Sequence, residues 1–501
     1  MYSFNKTTQT TSFDLLFLIH LHLLFFLLIN VTICPLASHG CYEEERRALL
    51  NFKSSLDDPS NRLTSWQEGI LHENCCNWHG IGCSDESSRV VSIDLRNTNL
   101  ENYIEETRYG KGTYNPPNTS LTGSIPFSIC SQTQYLDLSS NKLSGIISTG
   151  IGYCNSLIYL NLGNNFLTEN VPKQLENAKG LLFLQLNDNN LSGTFPNSIE
   201  KLLNLEILDL GNNNMEGIIP TGLGLLVGLK ILSLRSNNFS GPIPKEIYNL
   251  PNLQILDLSI NNLSGSILKI GNLRWLLSRP TEKYHFRDPG LDFSEKLMNF
   301  QFQFKMVIKG VMRKFEQLYV SSGIDLSCNA LEGNIPEEIG QLEGLSMLNL
   351  SHNQFSGLIP ATVGSMKGLE SLDLRDNKLS GLIPQSLASL DFLSYLNLSS
   401  NNFSGRIPRG EHFDTLSGDG SVYANNSLLC GFLTNRTCDT DQNSITTDKH
   451  VDWLFYSFMA LGFGVGFWGP FVVLLIRKEK WWFGYWRLVD IVAVRVTRLV
   501  Y

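Results

Sequence analysis

A ten-residue phrase returns every 24 residues along this chain, and that step leaves few folds open. LDLSSNKLSG (136–145) is followed by LNLGNNFLTE, LQLNDNNLSG, LDLGNNNMEG, LSLRSNNFSG and LDLSINNLSG, with Asp137, Asn161, Gln185, Asp209, Ser233 and Asp257 at their centres. The series resumes with the same step at Asp325, Asn349, Asp373 and Asn397, and a looser copy, IDLRNTNL, centres on Asp94. Eleven units of this kind cannot each bury an apolar face alone. They must stack, so the chain grows as an α/β solenoid of about 11 repeats rather than by adding cores.

Each unit reads LxLxxNxL. Alternate side chains of a strand face opposite ways, so the flanking leucines point inward and the central residue points out. Four positions beyond each centre stands an asparagine: Asn141, Asn165, Asn189, Asn213, Asn237, Asn261, Asn329, Asn353, Asn377 and Asn401; only the first unit departs, with Thr98. A turn leaves backbone groups unpaired, and a buried carboxamide, donor and acceptor at once, satisfies them. One such asparagine in a polar chain would be a surface residue; ten in register predict a ladder. Most units end in a variant of LSGxIP, as at 191–196, 239–244 and 379–384, where glycine allows a tight turn and proline limits strand pairing. The outward positions line the concave face with Tyr135, Asp137, Tyr159, Phe183, Gln185, Arg235, His352, Arg375, Asp376 and Tyr395. Aromatic, guanidinium and carboxamide groups on a rigid sheet suit peptide or protein recognition, so Tyr135, Tyr159, Phe183, Gln185 and Arg235 are the candidate ligand contacts.

Two apolar runs frame the repeats. Residues 15–33 follow Lys6 and precede the small Ser38 and Gly40, the pattern of a secretory signal cleaved after about residue 40. Residues 453–476 carry no charge and reach about 36 Å as a helix, enough to span a bilayer with some tilt. Arg477, Lys478, Lys480, Arg487, Arg495 and Arg498 follow that run against only Glu479 and Asp490, whereas Asp439, Asp441, Asp448 and Asp452 precede it. The positive side stays in the cytoplasm, which makes residues 41–452 extracellular and the protein a single-pass plasma-membrane protein. Gly462 and Gly466 form a GxxxG pair on one face of the span, where another helix can approach closely.

A solenoid exposes apolar edges at its ends and needs caps. At the N-terminus, 41–66 carries a helical apolar period at Leu49, Leu50, Phe52 and Leu56, followed by CCNWHGIGC. Cys41 with Cys75 and Cys76 with Cys83 is the pairing read here, although spacing alone permits three connectivities. Cys430 and Cys438 form a second candidate pair; Cys130 and Cys154, 24 residues apart, lie on adjacent coils within bridging reach. Cys34 leaves with the signal, and Cys328 is left over at an outward strand position. The oxidising exterior and the lack of paired CxxC motifs argue against zinc, so no metal is expected. Nine Asn-x-Ser/Thr acceptors fall outside the membrane: Asn118, Asn190, Asn238, Asn262, Asn349, Asn397, Asn402, Asn425 and Asn435. Glycans at Asn349 and Asn397, both at the outward strand position, would cover part of the concave face.

With 17% charged residues and 42% apolar ones the chain is too apolar for disorder, and a net charge of −8 argues against nucleic acid as a partner. The recurring aspartates sit at a repeat-defined position without a distinct general acid, and no HExxH, GxSxG or Walker sequence accompanies them. No catalytic residue and no cofactor are expected.

The cap CYEEERRALLNFK with CCNWHGIGC, the repeats with their LxGxIP tails, and the block VIKGVMRKFEQLYVSSGIDLSCNALEGNIPEEIG through LNLSSNNFSGRIPRG, LLCG and GFGVGFWGP resemble the plant leucine-rich-repeat receptor-like proteins. The likeness is nearest to the group that includes resistance proteins and a fungal-xylanase receptor. It implies a plant-type leucine-rich-repeat superhelix, with disulfide caps, a second short sheet formed by the LxGxIP tails, and no kinase. The organisation expected is a signal peptide (1–40), an N-terminal cysteine cap (41–89), repeats 1–7 (90–271), an island insertion (272–320), repeats 8–11 (321–409), a C-terminal cap and juxtamembrane segment (410–452), a transmembrane helix (453–476) and a short basic tail (477–501). The resemblance further implies an extracellular peptide or protein ligand and a role in plant defence. A co-receptor kinase would dock on the last repeats, with Lys309, Tyr319, Arg375 and Asp376 as contacts; an adaptor receptor kinase would pack against the membrane helix. Family members usually carry more repeats before the island than the seven here, so a decoy, an inhibitor of a secreted enzyme or a developmental receptor subunit are the other readings.

Overall fold

The computed structural model describes residues 41–69, 74–97, 120–267 except 127, 128 and 131, 270–278, 304–315, 322–438 except 412, 417–419 and 435, and positions 457, 459, 461, 462 and 489; for 312–315 it describes the backbone alone. The signal run, nearly all of the span 453–476 and of the basic tail, Thr98, Asn118, Tyr319, Asn435 and Gly466 lie outside the described residues. Among the described residues no helix is long and apolar enough to cross a membrane. The chain divides into two compact units, Met1–Leu429 and Cys430–Tyr501.

The first unit is a stack of coils. Its inner sheet has 12 strands, opening with the antiparallel pair Ile81–Cys83 and Val90–Asp94; every later strand, from Tyr135–Asp137 to Tyr395–Asn397, joins in parallel. Register is strict: Leu136 faces Leu160, Leu208 faces Leu232, and Leu372 faces Leu396. A second sheet is built from the LxGxI segments, among them Lys142–Ile146, Asn214–Ile218 and Lys378–Leu382, and short 3-10 turns such as Thr221–Leu225 close each coil. The repeat leucines between the sheets are almost wholly buried, each contributing roughly 1.5–3 kcal/mol on leaving water.

Each ladder asparagine binds two coils. The Asn213 Nδ2 donates to the carbonyls of Leu186, Leu210 and Gly211 at 3.0, 3.0 and 3.2 Å, and its Oδ1 accepts the Leu191 N–H at 3.0 Å. The same set recurs at Asn165, Asn353 and Asn401. The ladder continues one rung past the last expected repeat. Asn426 receives the Phe403 N–H at 3.0 Å and donates to the Leu398 and Tyr423 carbonyls, so the segment after residue 420 forms a degenerate further coil.

Immediately before each rung the backbone turns left-handed. Ser140, Asn164, Asp188, Asn212, Ser236, Ile260, Cys328, His352, Asp376 and Ser400 have φ between 50° and 58°. Asparagine and aspartate take this conformation readily; a β-branched residue such as Ile260 takes it at a cost. Cys328 therefore sits in the turn and not, as expected, at an outward strand position, because its strand ends at Asp325.

The N-terminal cap begins with helix Glu43–Ser54, whose first turn carries three glutamates and whose last turn carries Lys53, both matched to the helix dipole. Leu49 and Phe52 are its buried face; Leu56 falls beyond the helix, in a short edge strand with Thr122 and Gly123. Trp66 stacks on Trp78 at 5.7 Å, and its Nε1 donates to the His79 carbonyl. Arg62 reaches from the cap to the first rung, donating to Asn141 Oδ1 at 3.2 Å and to the Leu95 and Arg96 carbonyls. Disulfides join Cys41 to Cys75, Cys76 to Cys83 and, between adjacent coils, Cys130 to Cys154. In the second unit Cys430–Cys438 closes a small loop held by the Gly431 N–H to Arg436 carbonyl bond.

Candidate functional site

The first residue of each inner strand forms one column across the concave face: Tyr135, Tyr159, Phe183, Ile207, Ile231, Ile255, Gly323, Met347, Ser371 and Tyr395. Tyr135 and Tyr159 stack with centroids 4.4 Å apart, and Phe183 tilts against Tyr159 at 5.8 Å. From Tyr135 to Ile255, and again at Met347, this column belongs to a buried cluster that also contains Phe304 and Met306, residues remote in sequence.

Phe304 and Met306 come from a hairpin inserted between coils. Strands Phe304–Ile308 and Val311–Phe315 pair antiparallel around Lys309 and Gly310, both at positive φ, the twist that a two-residue hairpin turn favours. The alternation works across the first strand: Phe304 and Met306 face the concave column, and Lys305 reaches Asp188 at 3.4 Å. Lys309, at the hairpin's tip, stands 3.8 Å from Glu370. Asp188 and Glu370 lie on coils far apart along the stack, so this strand runs lengthwise over the repeat strands as a strap. Gly323 lies directly beneath it, against the flexible ends of two methionines. A Cβ at that position would stand 2.7 Å from Met347 Cε and 2.9 Å from Met306 Cε, well inside contact distance. The insertion leaves the sheet itself undisturbed, because Ile255 pairs directly with Gly323 and Asp257 with Asp325.

Between strap and sheet lies a cleft of about 300 Å³. Ile255, Met306, Ile308 and Met347 make its apolar wall; Ser322, Ser346 and Ser371 supply hydroxyls; Lys309 and Glu370 place opposite charges at its edge. A groove with apolar walls, a few hydroxyls and one ion pair has the composition of a small-ligand or peptide side-chain site. Among the described residues no group of three metal-binding side chains comes together.

The expected ligand contacts stand elsewhere in this picture. Tyr135, Tyr159, Phe183, Gln185 and Arg235 do lie on the concave face, but all five are buried, which corrects their reading as an open recognition surface. Their polar atoms are engaged internally: the Tyr159 and Tyr135 hydroxyls donate to Asp137 Oδ2, and Asn161 Nδ2 donates to the same oxygen. Of the expected docking residues, Lys309 edges the cleft, and Asp376 is paired with His352 at 3.1 Å. Arg375, an outward concave position in the sequence pattern, keeps only 11% of its side-chain surface and lies 3.8 Å from Asp373.

Acceptor asparagines divide in the same way. Asn190, Asn238, Asn262 and Asn402 are exposed at the first position of second-sheet strands, and Asn425 is exposed with its Nδ2 on Ser400 Oγ. Asn349 is 8% exposed and its Nδ2, the atom a glycan would occupy, donates to Asp325 Oδ2 at 3.1 Å. Burial sets Asn349 apart from the five exposed acceptors. Asn397 is half-buried with its Oδ1 held by Ser399.

Burial also moves the acid groups. Desolvation pushes the Asp209 carboxyl up to about 7; it does the same to Asp325, also to about 7, with the neighbouring Asp257 adding to the effect. Asp257 is raised by burial against the pull of Arg235. The Cys328 thiol is pushed up to about 11 by burial and then by Asp325, which keeps it protonated and unreactive.

Parallel strands at a 24-residue step, asparagine rungs and a glycine-bearing second sheet together define the leucine-rich-repeat proteins, and the chain belongs to that class. A leucine rich repeat N-terminal domain model matches residues 43–84, and leucine rich repeat models match 132–154, 180–202, 204–226, 228–250 and 354–403. Its relatives include plant receptor-like proteins and plant leucine-rich-repeat receptor-like kinases. Receptor-like protein 30 of Arabidopsis thaliana is 41% identical over 92 residues, 17% of this chain and 11% of that protein. Receptor-like protein EIX2 of Solanum lycopersicum is 37% identical over 103 residues, 20% of this chain and 9% of that protein. The matched stretches thus span about a tenth of the relatives' length. Among solved structures, the ectodomain of the Arabidopsis receptor kinase HAESA with an N-terminally extended IDA peptide hormone aligns with a TM-score of 0.55 and 30% identity, over 73% of this chain and 50% of that one. The same receptor with IDA and the co-receptor SERK1 gives 0.54 and 27%, over 79% and 63%.

Proposed function

We propose that this chain is a non-enzymatic receptor subunit whose extracellular solenoid seats part of a peptide or protein ligand in the cleft beneath the strap. The observation that carries this reading is the break in the concave column, where Gly323 and Ser371 replace the bulky residues of earlier coils and leave the groove open beside Met306 and Met347. Support also comes from the HAESA ectodomain, a similar solenoid solved with a peptide hormone and a co-receptor. Lys309 and Glu370 would read opposite charges on the ligand, and Ile308 and Met347 would hold an apolar side chain. Signalling in plant defence would then pass to partner receptor kinases. The co-receptor would meet the last repeats around Asp376 and His352, and the adaptor kinase would meet the span 453–476 through Gly462 and Gly466.

The test is capture of ligand from secreted microbial fractions by the full-length protein in detergent. Glu370→Lys together with Ile308→Asp should abolish capture while the protein still reaches the cell surface. Undiminished capture would move the ligand off the cleft.

A further inference from the structure

The inner sheet uses two chemically different groups at one equivalent place. The third strand residues Asn349 and Asn397 each accept, through Oδ1, the N–H and the hydroxyl of the serine two positions on, at 3.1 and 2.7 Å. Asp257 and Asp325 make the same contacts with Ser259 and Ser327, at 3.0 and 2.6 Å. Carboxyl and carboxamide are therefore interchangeable in shape at this position, and only the carboxyl can ionise.

Asp257 and Asp325 are also register partners in adjacent parallel strands, whose backbones lie about 4.8 Å apart. Both residues are 0% exposed, and Asp257 Oδ2 is sealed from solvent with no hydrogen-bond donor among the described residues. Two ionised carboxylates on register-paired, fully buried residues repel each other in a low-dielectric setting, and burial itself disfavours the second charge. The charged neighbours do not cancel this. Arg235 on the preceding coil acts on both; Asp209 on one side and Asp373 with the Cys328 thiol on the other add no positive charge. Asn349 Nδ2 donates to Asp325 Oδ2, and the strap's Lys305 and Lys309 are held by Asp188 and Glu370.

We propose that Asp257 and Asp325 hold one proton between them in the folded protein, which makes the joint between the coils flanking the insertion acid-stabilised. The proton belongs to the pair and not to either residue. The sign follows from linkage. An aspartate in the unfolded chain loses its proton near about pH 4, whereas burial keeps Asp325 protonated up to about 7. The stability tied to the held proton is full below the unfolded value and drains as pH rises towards neutrality. The strands concerned, Ile255–Asp257 and Gly323–Asp325, are those whose first residues floor the cleft, so the loosening is centred where the strap is spliced in.

Two measurements on the full-length protein in detergent micelles decide the matter. Infrared difference spectra between about pH 6 and about pH 8.5 should show the C=O stretch of a protonated carboxylic acid that disappears at the higher pH; a wild-type spectrum without it overturns the proposal. Thermal melts should fall from about pH 5 to about pH 7.5, and Asp325→Asn should remove a distinct part of that fall, the desolvated Asp209 and Asp94 supplying the rest. A variant that keeps the whole pH dependence overturns the proposal as well. If Asp325→Asn does not accumulate, Asp257→Asn, which retains an acceptor for Ser259, makes the same measurement.

Discussion

The concave face has two halves built on one backbone. From Tyr135 to Ile255 the first strand position carries a ring or a branched aliphatic side chain, and the column is buried and closed. From Gly323 to Ser371 the same position carries a glycine, a flexible methionine and a serine, and a cleft remains. Strand register, leucine packing and asparagine rungs do not change across the boundary. A solenoid thus separates the residues that hold it together from those that decide whether its surface is filled, and the second set varies without disturbing the first.

That separation can be broken by experiment. The largest effect is expected from Phe183→Ala in the closed half, which removes a ring from a buried cluster and should cost about 3–5 kcal/mol in denaturant melts; Ser371→Ala in the open half removes one hydroxyl and no apolar volume and should cost at most about 1 kcal/mol. Comparable losses would mean that both halves are structural. Asn213→Ala and Asn353→Ala, one rung from each half, should each cost about 1–3 kcal/mol by orphaning backbone groups, and should agree with each other. A marked difference between them would show that the ladder is not uniform. Gly323→Ile extends the closed column into the open half. It should cost about 1–3 kcal/mol through overpacking and expel the strap, read as faster hydrogen exchange over 304–308, whereas an unchanged strap would show that Met306 and Met347 can move aside. The smallest effect is a gain. Ile260→Asn relieves a left-handed β-branched residue at the last coil before the boundary and should raise stability by about 1 kcal/mol, measured as a higher melting temperature.

Local repetition was readable in advance because each unit repeats the same local solution. Asp137, Asn161 and their successors mark strands whose register follows from the 24-residue step, and the rung asparagines follow from the turn that every coil must make. Asn426 escaped because its coil lacks the LxL strand; the residual signal is NNSLLCG, an echo of NNFSG. The strap escaped for another reason. FKMVIKGVMRKF sets mixed apolar and basic residues on either side of a Lys-Gly turn, which marks a hairpin, but no local pattern says which surface that hairpin will cover. Tyr135, Tyr159 and Phe183 therefore looked open, and their burial is a non-local fact. Gly323 carries a usable hint, as a glycine where the six preceding coils, from Tyr135 to Ile255, have a ring or a branched side chain.

The seamless pairing of Ile255 with Gly323 has an evolutionary consequence. Because neighbouring coils meet as though nothing stood between them, the inserted segment is a cassette. It can be lengthened, exchanged between gene copies or redrawn residue by residue without re-engineering the scaffold, provided that its anchoring alternation and the glycine beneath it persist. Selection acting on what such a molecule recognises can thus work quickly within one short stretch, while the coils on either side stay under the slow discipline of folding.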